Sequence, residues 1–394
     1  MSRLFTPARI NRLELRNRII RAAAFEGMSP EGQPSDELIA YHRKVAAGGA
    51  AMSSVAYVSV SEDGRTYGHQ MCMQRDGVAT GLKALTDAVH AEGAAAAIQL
   101  GHCGYFADRK VTGHRPIAPS RVFCTYGLSY PRAMTGNDIA RVIADFATSA
   151  RLAREAGFDA IELHAGHGYL LSQFLSPFNN RRKDEFGGDL ESRLRFPLGV
   201  VRAVREAVGP DYPLLAKTNL RDGFSGGLDI DEAIEVHRAF EREGLDALIL
   251  SGGHVAKMPW YVMRGERPIR EMVRGEPKLW RKTGLFLFGR TMVKPFEFEE
   301  GYFLEDSRRI REAVELPLVV VGGIRRRAMM EAVLDEGFEF VSMARPLIME
   351  PDLPNKMMRG EAEESQCEPC NKCIAVMDQG GIRCVLREER EGIN

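Results

Sequence analysis

The sequence predicts an α/β chain folded as a (β/α)8 TIM barrel, with long insertions at the rim and a cysteine-rich C-terminal tail. Three observations predict it. Short apolar, β-branched runs alternate with longer amphipathic ones, the pattern of repeated strand-helix units around a parallel sheet. Helical stretches stop at Ala156-Gly157, Glu243-Gly244 and Glu336-Gly337, each followed at once by the next apolar run. Polar and titratable residues collect where the apolar runs end, which in a barrel is the rim that carries the chemistry.

The strands are expected near Arg18-Arg21, Ala51-Val58, Ala94-Leu100, Ala160-Leu163, Leu214-Thr218, Ala247-Ser251, Leu318-Val321 and Phe340-Met343. Helices such as Asp138-Ala156 and Asp229-Glu243 lie between them. A doubly wound nucleotide fold would place a glycine fingerprint after its first strand, and none is present there. Two long segments interrupt the repeat, Gly101-Thr135 after the third strand and Gly252-Tyr302 after the sixth. Both leave from the C-terminal rim and are expected to cover the site. The second holds Pro259-Trp260-Tyr261, several arginines and Leu285-Phe-Leu-Phe288, which suit a lid or a contact between copies of the chain. The expected organisation is a barrel domain over residues 1-360 and a cysteine-rich segment over 361-394.

Composition narrows the function. The 394 residues are 44% hydrophobic, enough for one large core. A net charge of -1 with 27% charged residues spread along the chain leaves no basic face, so neither nucleic acid nor an anionic membrane is expected as a partner. The start, Met1-Ser-Arg-Leu-Phe5, has no apolar signal segment, and no run approaches the roughly 20 apolar residues of a membrane-spanning helix. The expectation is a cytoplasmic protein. Of the seven cysteines, Cys72, Cys103 and Cys124 are scattered and read as small buried hydrophobes.

The densest chemistry lies in Ile161-Glu-Leu-His164-Ala-Gly-His167-Gly-Tyr169-Leu170, where an apolar run ends in two imidazoles and a phenol. Such a group holds a substrate oxygen and supplies a proton, the work of a general acid. The plain alternative is a strand end with satisfied core histidines. Barrels commonly bind phosphate in the loops after strands seven and eight. Here those loops read Val321-Gly322-Gly323-Ile324, where bare glycines let backbone N–H groups approach an anion, and Met343-Ala344-Arg345-Pro346, which offers a guanidinium. Gln99 and Lys217 close strands three and five. An amide pairs with the pyrimidine edge of a flavin, and a lysine there lowers the cost of reduction. A lysine snorkelling to the surface is the alternative for Lys217.

From about Leu4 to Gly360 the residues resemble the Old Yellow Enzyme group of FMN-dependent oxidoreductases. The resemblance is carried by Asn17-Arg-Ile19, Ile98-Gln-Leu-Gly-His102, Ala156-Gly-Phe-Asp159, Gly168-Tyr-Leu170 with Gln173-Phe-Leu-Ser176, Asn180-Arg181, Asp184-Glu-Phe-Gly-Gly188 and Arg193 with Arg195-Phe196. It implies FMN in the barrel mouth, contacted by Ala23, Ala24, Ala56, Gln99, Lys217, Gly322, Gly323, Ala344 and Arg345, with NADH or NADPH as hydride donor. It implies that His164 and His167 hold the carbonyl of an activated alkene while Tyr169 protonates it. Val341-Ser-Met-Ala-Arg-Pro346 is similar to the branch containing 2,4-dienoyl-CoA reductase and trimethylamine dehydrogenase. In His254-Val-Ala-Lys-Met-Pro259 the histidine resembles that reductase's second active-site acid; a water-exposed loop histidine is the alternative.

The tail reads Cys367-Glu-Pro-Cys370-Asn-Lys-Cys373 and then Cys384, a C-x2-C-x2-C-x10-C array of four thiolates. In the resembled branch a 4Fe-4S cluster occupies the matching place; zinc suits the same ligands as second choice, and an unliganded remnant is the third. Two departures stand out. The FAD and nucleotide-binding domains that follow the barrel in that branch are not found before Asn394, so a cluster would need a separate electron-transfer protein or be structural. The first strand ends in Ala22-Ala-Ala-Phe25-Glu26, without the threonine or cysteine that many relatives place beside the flavin, which leaves the flavin potential and the direction of reaction open; Glu26 is an alternative active-site base. The expected function is NAD(P)H-dependent reduction of an enone or enoyl thioester. The alternatives are a flavin dehydrogenase or demethylase passing electrons through the cluster, and a non-catalytic electron-transfer subunit.

Overall fold

A computed structural model describes residues 2–276, 278–292 and 294–392. Met1, Pro277, Val293, Ile393 and Asn394 fall within the expected domain and insertion ranges but lie outside the described residues. Eight parallel strands close a barrel: β1 Ile19–Arg21, β2 Met52–Ser59, β3 Ala95–Gly101, β4 Ala160–Ala165, β5 Leu214–Asn219, β6 Ala247–Ser251, β7 Leu318–Val320 and β8 Phe340–Met343. They follow chain order around the wall, and β8 pairs with β1 to close it. Every expected strand is present, two with the same ends and the others with ends within two residues.

The crossover helices are α1 Asp36–Ala47, α2 Val78–Ala91, α3 Gly136–Glu155, α4 Leu190–Val208, α5 Ile230–Arg242, α6 Leu304–Arg311, α7 Arg327–Asp335 and α8 Leu353–Arg359. Side-chain oxygens start several of them. Ser35, Asp189 and Asp229 accept N–H bonds of the first turn, and Thr135 forms a reciprocal capping box with Asp138. The three glycine stops adopt φ of +87°, +89° and +89°, a left-handed exit that turns each chain into its next strand.

Alternation along the strands divides the core in two. Ile161 and Leu163 of β4 point outward into the large layer shared with the helices. Ala160 joins a smaller inner cluster with Ile20, Met52, Ala97, Leu215, Ile249, Val319 and Phe340. A hairpin that the sequence reading missed, Ala8–Ile10 against Leu13–Leu15, seats Ile10 and Leu15 in that inner cluster and plugs the N-terminal end. The polar inward positions are thereby confined to the opposite end.

Both insertions leave that end. The first contains a short helix, Arg109–Thr112, and a parallel pair, Ile117–Ala118 with Arg132–Ala133. The second contains helices Pro259–Val262, Ile269–Gly275 and Leu279–Met292. The tail folds back onto the barrel: Cys373 and Ile382 pack with Ile348, Met28 and Tyr41, and the Ile382 N–H donates to the Glu26 carbonyl at 2.6 Å. Among the described residues no helix is long and apolar enough to cross a membrane.

Candidate active site

At the C-terminal end the inward residues line a cavity of about 230 Å³, walled by both insertions and by the tail. Its floor carries a buried polar cluster. Lys217, 3% exposed, donates to Glu162 at 2.8 Å and to the Ala23 carbonyl at 3.1 Å. Gln99 donates to the same Glu162 oxygen at 2.5 Å. Lys217 is therefore interior and does not snorkel. Glu162 was missed in the sequence, although it stands two residues before His164 on one strand and so shares its inward face.

The titratable rings stand above this floor. His164 stacks on Tyr169 with ring centroids 3.8 Å apart and meets His167 edge-on at 5.1 Å. His167 has φ +57°, and its conformation is held by its N–H on Asn219 Oδ1 at 2.9 Å and by Ser251 Oγ at 2.7 Å from Nε2. Burial, and then the Lys217 charge, push His167 down to about 3. Burial, His167 and Lys217 push His164 well below its ordinary 6.5. Both rings are neutral at pH 7 and serve as hydrogen-bonding groups rather than as cations. Burial raises the Tyr169 phenol well above 10, so it keeps its proton until a strong base develops beside it.

The other expected residues divide. Ala23, Ala24, Gly322, Gly323, Ala344 and Arg345 line the cavity, and Arg325, not foreseen, joins them. Ala56 does not: a bulge between Val55 and Val58 turns Tyr57 to the cavity, while the Ala56 N–H donates to the Glu26 carboxylate at 3.2 Å. Glu26 is not presented as a base, because it is buried in an ion pair with Arg21 at 2.7 Å and lies 3.3 Å from His42. His254 is neither water-exposed nor in the cavity wall. It is fully buried behind the Gly168 turn, bonded to Asn179 Oδ1 at 3.0 Å, and burial pushes it down to about 3. Gly168 has φ +77°, and a Cβ there would lie 2.4 Å from His254 Cε1.

The residues fit a flavin mononucleotide on three counts. His164 Nδ1 is buried without a hydrogen-bond partner, as a ring awaiting a ligand would be. A Cβ on Gly322 or Gly323 would meet Phe303 at 2.8 Å or Phe298 at 3.0 Å, so the chain runs past this wall as bare backbone. Gln99 and Lys217 lie on the floor, while Arg325 and Arg345 supply the cations that a phosphate needs.

The family model described as the NADH:flavin oxidoreductase / NADH oxidase family matches residues 3–274. The chain belongs to that family. It is 43% identical over 386 residues to the 4,4'-dithiodibutanoate disulfide reductase of Rhodococcus erythropolis, covering 98% of this chain and 95% of that protein. Among solved structures, a 2-naphthoyl-CoA reductase in complex with 2-naphthoyl-CoA superposes with a TM-score of 0.84 at 25% identity, over 99% of this chain and 57% of that one. Histamine dehydrogenase from Rhizobium sp. 4-9 follows at TM-score 0.80 and 27% identity, over 97% and 52%. The chain thus spans little more than half the length of these two structural neighbours. The family member is an enzyme, an oxidoreductase of the flavin class, and its barrel is the one the sequence motifs implied.

The four tail cysteines, Cys367, Cys370, Cys373 and Cys384, line one small void together with Arg345 and Asn371. Among the described residues no group of three or more His, Cys, Asp or Glu stands where it would hold a single metal ion. Burial raises the Cys367 and Cys373 thiols to about 12.

Proposed function

We propose that the protein is an FMN-dependent reductase of alkenes conjugated to a carbonyl, with NAD(P)H as the hydride donor. The observation that carries the reading is Tyr169 stacked at 3.8 Å on the neutral His164, above the Lys217–Glu162–Gln99 floor. FMN, when bound, supplies the two-electron relay between the nicotinamide and the electron-poor alkene. Ala23, Ala24, Gln99 and Lys217 would hold its ring system, and Gly322, Gly323, Ala344, Arg345 and Arg325 its phosphate end. His164 and His167 orient the substrate carbonyl and stabilise the negative charge that builds on its oxygen. Tyr169 gives its proton to the carbon that becomes basic as the alkene is reduced. Protein reduced anaerobically with NADH or NADPH should be reoxidised by an enone or enoyl thioester; no reoxidation by any such acceptor retires the reading.

A second reading is favoured by the relative with 43% identity and 95% coverage, named for a disulfide substrate. In that case Tyr169 protonates a departing thiolate instead of a carbon. Reoxidation by 4,4'-dithiodibutanoate and not by enones would select it.

The tail is best suited to a 4Fe-4S cluster. Four thiols around a shared void, in C-x2-C-x2-C-x10-C spacing, supply the four thiolates that such a cluster takes, with tetrahedral zinc as second choice for the same ligands. A cluster here would either pass electrons to an electron-transfer protein or be structural. Iron and sulfide analysis of anaerobically purified protein tests it, and zinc alone would overturn it. The alternative in which the chain is a flavin dehydrogenase would be selected by bleaching of the flavin with an amine or alcohol in the absence of nicotinamide.

A further inference from the structure

Asp222, just beyond the end of β5, is fully buried and makes no ion pair among the described residues. One of its oxygens accepts from Asn219 Nδ2 at 2.8 Å. The other accepts from Ser176 Oγ at 2.5 Å and from the Leu228 N–H at 2.9 Å. Lys257 supplies opposite charge without an ion pair, because its ammonium lies on the faces of Phe178 and Phe224, 3.7 and 3.8 Å from their centroids. A carboxylate buried in this way is costly, and burial raises its pKa from the ordinary 3.8. What a carboxylate offers in return is acceptors alone: three donors converge on it, and an amide in its place would turn its own N–H groups against one of them.

The consequence is carried by Asn219, whose amide could sit either way round. Its nitrogen is claimed by two acceptors, Asp222 Oδ1 and the Gly253 carbonyl, both at 2.8 Å. Its oxygen is therefore the atom left to face the His167 N–H, at 2.9 Å. The Val255 N–H closes the other side of the same residue by donating to the His167 carbonyl at 2.9 Å. His167 stands at φ +57°, a region that a residue with a side chain keeps only when its surroundings hold it there. Two glycines make room for the holders. A Cβ on Gly166 would lie 2.9 Å from Asn219 Oδ1, and one on Gly227 would lie 2.6 Å from Asp222 Cβ.

We infer that Asp222 is a positioning residue: by orienting the Asn219 amide it fixes the His167 turn, and so the place from which that imidazole meets a substrate oxygen. The role deepens the alkene-reductase reading and rests on it for the substrate, but not for the geometry. The test uses flavin-loaded protein carrying isotopically labelled histidine. Deuterium exchange of the His167 amide, its resonance assigned by its loss in His167→Gln, should quicken about tenfold in Asp222→Asn. The dissociation constant of cyclohexenone, read from the absorption of the oxidised flavin, should rise about tenfold as well, with flavin content undiminished. Asn219→Ser should give both effects, and adding Asp222→Asn to it should change neither further, because the carboxylate acts through the amide. A thermal midpoint that falls in Asp222→Asn while His167 exchange and enone affinity stay as they were makes the carboxylate a structural group only and overturns the inference. Losses that add in the double variant overturn it too. If Asp222→Asn does not fold, Asp222→Ser, which removes bulk together with charge, takes its place under the same expectations. If cyclohexenone leaves the flavin spectrum of the unaltered protein untouched while His167 exchange responds as expected, the positioning role stands and the alkene-reductase reading falls, so the two failures are distinguishable.

Discussion

Glu162 and Lys217 form an ion pair at 2.8 Å on the floor of the barrel, with both side chains about 3% exposed or less. A lysine alone would leave a full positive charge at the proposed flavin site. The carboxylate offsets that charge, and by holding Gln99 as well it fixes two groups in one geometry. Glu162→Gln removes the negative charge while keeping the shape. The flavin potential should then rise, by an amount corresponding to about 1–3 kcal/mol per electron at an effective dielectric near 20. An anaerobic dye-equilibration titration measures it, and a potential that does not move refutes the pairing argument.

Tyr169→Phe deletes the proposed proton donor and leaves the ring in place. Reoxidation of the reduced protein by an enone should slow by about 10²–10⁴-fold, whereas reduction by nicotinamide should hardly change. Stopped-flow measurement of the two half-reactions separates these effects. Equal losses in both would contradict the acid role.

Gly168→Ala forces a side chain onto φ +77° and onto the buried His254 ring. The strained backbone alone costs about 1–3 kcal/mol. The thermal midpoint should drop, and His254→Ala in the same chain should restore part of it by removing the clash. No recovery in the double variant would show that the turn, rather than the contact, sets the cost.

Acid should destabilise the fold through its buried histidines. His167 and His254 are held near 3 and His237 near 4, all below the ordinary 6.5, chiefly by burial. Above about 6.5 neither the folded nor the unfolded state protonates these rings. Below it the unfolded chain takes up protons that the folded chain refuses, so stability falls with pH until the folded rings themselves titrate. Urea midpoints measured between pH 7 and pH 4.5 should decline, and His237→Gln should flatten the slope. An unaltered slope in that variant would count against it.

Loading of the tail should release protons. Burial raises the Cys367 and Cys373 thiols to about 12, so thiolate ligation of the proposed cluster must displace their hydrogens. Reconstitution with iron and sulfide should become more complete as pH rises from 6.5 to 8.5, and Cys370→Ser should lower the iron content. Iron uptake indifferent to both would place the metal elsewhere.

Much of this molecule is legible in one dimension because its signals are local. The short apolar runs, the glycine stops and the spacing of His164, His167 and Tyr169 depend on neighbours in the chain, and all eight strands appear where those runs lie. Gln99 and Lys217 were legible for the same reason: each ends an apolar run that has only one way to face. Glu162 carried the same alternation signal, but a carboxylate inside a barrel becomes plausible only once its lysine is seen beside it.

What the sequence determined by itself is the barrel, its order and the face on which chemistry collects, since these follow from the repeat of strand, helix and stop. The tertiary structure alone decided which polar groups meet. The bulge at Val55–Val58 exchanged Ala56 for Tyr57, Arg21 claimed Glu26, and the Gly168 turn put His254 behind the wall. These outcomes are set by the packing of side chains in three dimensions, where close-packed volume and the pairing of buried charge govern and local pattern carries little information.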